Sequence, residues 1–120
     1  MPHILLVEDN EPVLHTLTET LEAEGWHVTC RADFYPALRL IEGETHVDLF
    51  LFDNRLPTGT GIELTRIARG LSHRKETPLI MISASECERE ARRAGANEFL
   101  RKPEDVSKIV ETVRRLLSQT

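Results

Sequence analysis

Leu49-Phe50-Leu51-Phe52-Asp53-Asn54 decides the fold: four apolar residues in unbroken succession stop at an acid and a turn-forming amide. A strand with one solvated face alternates apolar and polar residues, so a continuous run suits a strand covered on both faces, as in a parallel sheet. Ile4 to Val7, Leu79 to Ile82 and the shorter Phe99-Leu100 read the same way, with His27 to Cys30 a weaker, more polar fifth. The segments between them carry helical spacing: Val13, Leu14, Leu17 and Leu21; Phe34, Ala37, Leu38 and Ile41; Leu64, Ile67, Ala68 and Leu71. The clearest helix is the last, where Val106, Ile109, Val110, Val113, Leu116 and Leu117 form one apolar stripe.

Punctuation supports this order. Gly25, Gly43, Gly70 and Gly95 each follow a helical segment where a left-handed C-cap is expected. Asn10, Asp33 and Ser85 are suitable N-caps, Ser85 with Glu88 has capping-box spacing, and Pro12 and Pro103 stand where a missing N–H costs little. The chain therefore reads as β-α repeated five times, which predicts a parallel sheet with right-handed crossovers and helices on both faces. The fourth helix, expected from Ser85 to Ala94, offers only Cys87, Ala91 and Ala94 to a core and is otherwise charged, so it should be among the easier elements to shift.

A length of 120 residues suits one domain, residues 1–120, and leaves no room for a separate output module. The formal charge of −5, with basic residues dispersed along the chain, disfavours direct nucleic-acid binding. Cys30 and Cys87 lack metal-ligand spacing and read as reduced thiols of a cytoplasmic protein. The apolar start is interrupted at once by Glu8 and Asp9, so neither a signal peptide nor a membrane span is expected. His3, His15, His27, His46 and His73 show no spacing for metal or acid-base work and read as surface or strand-end residues.

In an open parallel sheet, ligands bind beyond the carboxyl ends of the strands, so those ends are read together. They carry Glu8 and Asp9, then Asp53, then Ser83 and Ala84, then Lys102 and Pro103. Three acids so placed stay ionised only beside a compensating cation or the Lys102 ammonium. Oxygen donors without a nearby Cys or His favour magnesium or manganese over zinc. The chain has twelve arginines and only three lysines, yet this position is lysine, whose compact ammonium suits a narrow site.

This set, in this order and at these strand ends, resembles the signature of response-regulator receiver domains of the CheY-like type. Pro57 and Gly61, four and eight residues after Asp53, and Phe99, three before Lys102, match as well. The resemblance covers the whole chain and implies a flavodoxin-like (βα)5 three-layer sandwich with strand order 2-1-3-4-5. It implies that Asp53 accepts a phosphoryl group, with Lys102, the Ser83 hydroxyl and the Ala84 N–H on its oxygens. Mg2+, or Mn2+ in its place, would be held by Asp9, Asp53, the backbone carbonyl of Arg55 and, through a water, Glu8. Ser83 and Phe99 would form a switch coupling the acceptor to the surface of helix 4, strand 5 and helix 5. The implied donor is a histidine kinase or histidine phosphotransfer protein, and the implied receiver of the signal is a downstream protein or a fused output domain. A monomer or a phosphorylation-dependent dimer would fit, with neither nucleic acid nor membrane as a direct partner.

Three positions depart from the common pattern: Ser83 in place of Thr, Arg55 two residues after the acceptor, and Glu104 after Lys-Pro where an aromatic is frequent. Arg55 is expected to alter the lifetime of the phosphoryl group, and Glu104 weakens assignment to relatives that dimerise through the helix 4 to helix 5 face. The stretch from Asp53 to Gly61 is similar to receivers carried on hybrid histidine kinases, so the domain could stand alone or belong to a larger regulator or kinase. Two rival readings are disfavoured, the second by the retention of all five site positions. A haloacid-dehalogenase-type phosphatase also uses an Asp, a Ser or Thr, a Lys and magnesium, but needs an acid where this chain has Arg55. A pseudo-receiver would keep the fold and signal by docking alone.

Overall fold

In the computed structural model, which describes residues 1–119, each apolar run is a strand. The strands are β1 His3–Val7, β2 His27–Arg31, β3 Leu49–Asp53, β4 Leu79–Ser83 and β5 Glu98–Arg101. They pair only in parallel and lie in the order β2-β1-β3-β4-β5. The helices between and after them are α1 Glu11–Glu22, α2 Phe34–Glu42, α3 Gly61–Gly70, α4 Glu88–Ala94 and α5 Ile109–Ser118. A small antiparallel ribbon, Arg55–Leu56 with Gly59–Thr60, interrupts the passage from β3 to α3.

Successive side chains of a strand point to opposite faces, which explains why the runs are unbroken. Leu5, Val7, Phe50, Phe52, Leu79 and Met81 pack toward α2, α3 and α4, through Phe34, Ala37, Ile41, Leu64, Ala68 and Ala91. Ile4, Leu6, Leu49, Leu51, Ile80 and Ile82 pack toward α1 and α5, through Leu17, Leu21, Ile109, Val113 and Leu116. Leu49, Phe50, Leu51 and Phe52 are all 0% exposed, and each such side chain contributes about 2 kcal/mol of burial. Parallel pairing then brings every carboxyl end to one rim, with Val7 beside Phe52, Asp53 beside Ile82 and Ser83 beside Arg101.

Several local expectations hold and others are corrected. Asn10 caps α1 by accepting the Val13 N–H at 3.1 Å, with Pro12 in the first turn, and Asp33 caps α2. Ser85 does not cap α4. That helix starts at Glu88 after an uncapped Cys87, because the Ser85 N–H donates to the Ser83 hydroxyl at 3.0 Å and the Ser85 carbonyl accepts from Cys87. The segment turns back on strand β4 instead of entering the helix. Gly25 and Gly95 have positive φ, as a left-handed terminus requires, whereas Gly43 and Gly70 do not.

At Gly43 the reason is Arg74, only 2% exposed, which donates to the carbonyls of Ile41, Leu40 and Gly43 at 2.9, 3.2 and 3.0 Å and so satisfies the end of α2 from outside. Gly70 is simply the last residue of α3. Pro103 precedes a turn rather than a helix. Asp105 accepts the Arg101 N–H at 2.9 Å and returns its own N–H to the Arg101 carbonyl at 2.8 Å, and a 3-10 turn over Val106–Lys108 follows before α5. Helix α4 buries Ala91 and Ala94, with Cys87 just ahead of it, as its composition predicts. No described helix is long and apolar enough to cross a membrane.

Candidate functional site

The rim gathers the acids and the ammonium named from sequence. Asp53 closes β3 at 6% exposure, Glu8 follows β1 at 0%, and Asp9 beside it is exposed. Lys102, directly after β5, reaches back across the sheet: its Nζ donates to Glu8 Oε1 at 2.9 Å and lies 3.5 Å from Asp53 Oδ2. The second Glu8 oxygen accepts the Asn10 N–H at 3.0 Å, and Asp53 Oδ1 accepts the Asn54 N–H at 2.8 Å. The wholly buried Glu8 thus has a partner for each oxygen, a cation for one and a backbone donor for the other.

The electrostatics are set by crowding. Burial, then the neighbouring charge of Glu8, pushes the Asp53 carboxyl up to about 7, and Lys102 offsets only part of this. For Lys102, burial opposes the ammonium, but the hydrogen bond to Glu8 and the charges of Asp53 and Glu8 outweigh it and raise its pKa above the ordinary lysine value. One ammonium therefore serves two buried acids while Asp9 adds a third negative group. Glu8, Asp9 and Asp53 each offer an oxygen within 4.8 Å of the others. The donors are all carboxylate oxygens, and their charge exceeds what Lys102 neutralises, so the residues fit a hard divalent cation.

The remaining residues line the same rim. Ser83 ends β4 at 1% exposure; its oxygen accepts the Ser85 N–H, which leaves its O–H as a donor. Ala84 is exposed beside it and presents no bulk over the pocket. Arg55 opens the ribbon two residues beyond Asp53, with its side chain exposed. Phe99 on β5 is 7% exposed, already packed in the core beside Met81, with the Arg101 guanidinium 5.8 Å from its ring centre.

Sequence reading missed the residues that hold the loop after Asp53. Asn54, weighed only as a turn former, accepts the Ile62 N–H with its side chain at 3.1 Å and the Gly61 N–H with its carbonyl at 2.8 Å. Gly61 has no positive φ; what it supplies is space, since a Cβ there would lie 2.2 Å from the Asp53 carbonyl oxygen. Gly61→Ala should therefore push the start of α3 away from β3. A loss of about 2 kcal/mol in denaturant unfolding is expected, with weakened magnesium binding by calorimetry, and an unchanged variant would contradict the close approach.

Comparison with known proteins agrees with this geometry. The response regulator receiver domain family matches residues 4–114. The polar-differentiation response regulator DivK of Brucella ovis is 29% identical over 117 residues, covering 95% of this chain and 94% of that protein. A CheY-like response regulator receiver domain protein from Methanospirillum hungatei superposes with a TM-score of 0.90 at 30% identity, over 99% of this chain and 95% of that one. The receiver domain of a sensor histidine kinase from Pseudomonas aeruginosa, solved with a magnesium ion coordinated in its active-site cleft, has a TM-score of 0.84 at 33% identity, with 98% of each chain covered.

Proposed function

Because the chain belongs to the response regulator receiver domain family, we propose that it is the phosphoacceptor of a two-component phosphorelay, with Asp53 as the residue modified. The observation that carries this reading is the meeting of Glu8, Asp9, Asp53 and Lys102 at one rim, with Lys102 Nζ 3.5 Å from Asp53 Oδ2. An Asp53 oxygen attacks the phosphorus of a phosphohistidine in line. The P–N bond breaks, the histidine nitrogen leaves with the electron pair, and an aspartyl phosphate forms. Lys102, drawn to both Glu8 and Asp53, keeps its charge and pairs with a phosphoryl oxygen; the Ser83 O–H and the Ala84 N–H donate to the other two.

Mg2+, with Mn2+ as the alternative, would be held by Asp9, Asp53, the Arg55 carbonyl and, through water, Glu8. When bound it supplies charge neutralisation that lets an anionic phosphoryl group approach three acids. The chain in this reading is a self-modifying switch and not a turnover enzyme. Its donor is a histidine kinase or histidine phosphotransfer protein in the cytoplasm, and its output passes to a downstream protein or a fused domain, as a monomer or a phosphorylation-dependent dimer.

For the switch, phosphorylation would draw the Ser83 hydroxyl from its Ser85 partner toward the phosphate. The uncapped start of α4 follows directly, and Phe99 lies one strand away. Because that ring is already buried, the change proposed is in its packing against the α4 side and not an entry from solvent. Titration with beryllofluoride and magnesium, followed by amide NMR, tests this. Shifts are expected at Asp53, Ser83, Ala84 and Lys102 and onward to Phe99 and α4. Shifts confined to the acidic residues would remove the switch, and no response at all would favour a pseudo-receiver.

A further inference from the structure

We propose that Asp33, which follows β2 at the carboxyl edge of the sheet, is a positioning residue for the cation: clamped to Thr58, it fixes the loop that presents the Arg55 carbonyl. The inference rests on the phosphoacceptor reading and adds to it a residue that touches none of the reacting groups.

A single oxygen of Asp33, Oδ1, accepts three hydrogen bonds: from the Phe34 N–H at 2.7 Å, the Thr58 N–H at 3.1 Å and the Thr58 hydroxyl at 2.9 Å. The first caps α2; the other two reach a loop 25 residues away and add nothing to the cap. The amide of Phe34 holds the carboxyl below the ordinary aspartate value, opposed by burial and supported by the Thr58 hydroxyl and N–H, so it stays an acceptor at neutral pH. Apolar contact reinforces the clamp. Gly59 packs against the Phe34 ring, where a Cβ would fall 2.4 Å from Cδ1, and Leu56 is 9% exposed.

The loop from Asn54 to Gly61 is consequently fixed at two places, at its base by Asn54 and at its tip by Asp33. Between them stand the two ribbon pairs, Arg55 with Thr60 and Leu56 with Gly59, the buried Leu56 side chain, and the Thr60 hydroxyl that accepts the Glu63 N–H. A two-stranded hairpin of this length does not hold itself in water. The tip clamp adds to the Leu56 and Gly59 packing in keeping the Arg55 carbonyl in one position, and a metal site loses affinity when the partners that orient its ligands are removed.

The test compares wild type with Asp33→Ala, Asp33→Asn and Thr58→Val in the full chain. Mg2+ affinity is read by calorimetry, beside thermal stability and phosphoryl incorporation from acetyl phosphate. Asp33→Ala should weaken Mg2+ about tenfold, Thr58→Val about threefold, and Asp33→Asn, which keeps the acceptor oxygen, should stay near wild type. Thr58→Val leaves the α2 cap intact, so its effect survives if Asp33→Ala fails to fold. A purely structural role would lower the thermal midpoint and leave affinity in the cold unchanged. If wild type takes Mg2+ and phosphoryl normally and Thr58→Val and any folded Asp33→Ala match it, the clamp is overturned alone; if wild type takes neither, the phosphoacceptor reading and the clamp fall together.

Discussion

Lys102→Met should lower the thermal midpoint by about 10 °C at neutral pH and slow phosphoryl incorporation about a hundredfold. The stability loss comes from Glu8, which is 0% exposed and has the Lys102 ammonium at 2.9 Å as its ion-pair partner. Removing one member of a buried pair leaves the other uncompensated, at a cost of about 3 kcal/mol, whereas methionine conserves most of the lysine volume. The rate loss has a separate cause, the missing charge on a phosphoryl oxygen. Lys102→Arg separates the two. A guanidinium restores charge beside Glu8 but cannot occupy the space of a compact ammonium 3.5 Å from Asp53, so stability should recover more than the rate does. Calorimetry and a phosphorylation time course would check both, and a Met variant as stable as wild type would contradict the dependence of Glu8 on Lys102.

Asp53→Asn should stabilise the metal-free protein while abolishing its modification. The carboxyl is ionised above about 3.8 in the unfolded chain but held protonated up to about 7 in the folded one. An acid with a raised folded pKa binds its proton more tightly in the native state, so its contribution falls as pH rises from about 4 to 7 and stays low above that. The gap sets a ceiling of about 4 kcal/mol, and water at the open rim brings the expected gain on substitution to about 2 kcal/mol, or 5–10 °C in thermal midpoint. The variant should exceed wild type most at pH 8 and approach it near pH 4. Magnesium should reverse the order at neutral pH, because it binds the folded acidic cluster of wild type and stabilises by mass action. Wild type melting above the variant at pH 8 without metal would contradict the crowding of these acids.

What the sequence disclosed, and what it hid, divides along a physical line. The strands were legible because burial on both faces leaves an unbroken apolar signal, as in Leu49 to Phe52. The rim followed from them, since parallel pairing alone places Glu8, Asp53, Ser83 and Lys102 at adjacent strand ends. The end of α2 was not legible: its carbonyls are satisfied by Arg74, a residue more than thirty positions away in a charged stretch that reads as solvated loop. The start of α4 was misplaced for a related reason, because Ser85 bonds back to Ser83 and Glu86 pairs with Arg101 on the neighbouring strand. The clamp from Asp33 to Thr58 belongs to the same class. Helical spacing reports helical partners; the Ser85 contact is a tight turn of the chain, and those of Arg74, Glu86 and Asp33 are made by the tertiary fold.

Intact-mass analysis after incubation with acetyl phosphate and magnesium, wild type beside Asp53→Asn, bears most directly on the central claim. Wild type should gain the mass of one phosphoryl group, lose it on treatment with hydroxylamine as an acyl phosphate does, and gain nothing when magnesium is chelated; the variant should gain nothing under any condition. Equal gain in both proteins would remove Asp53 as the acceptor.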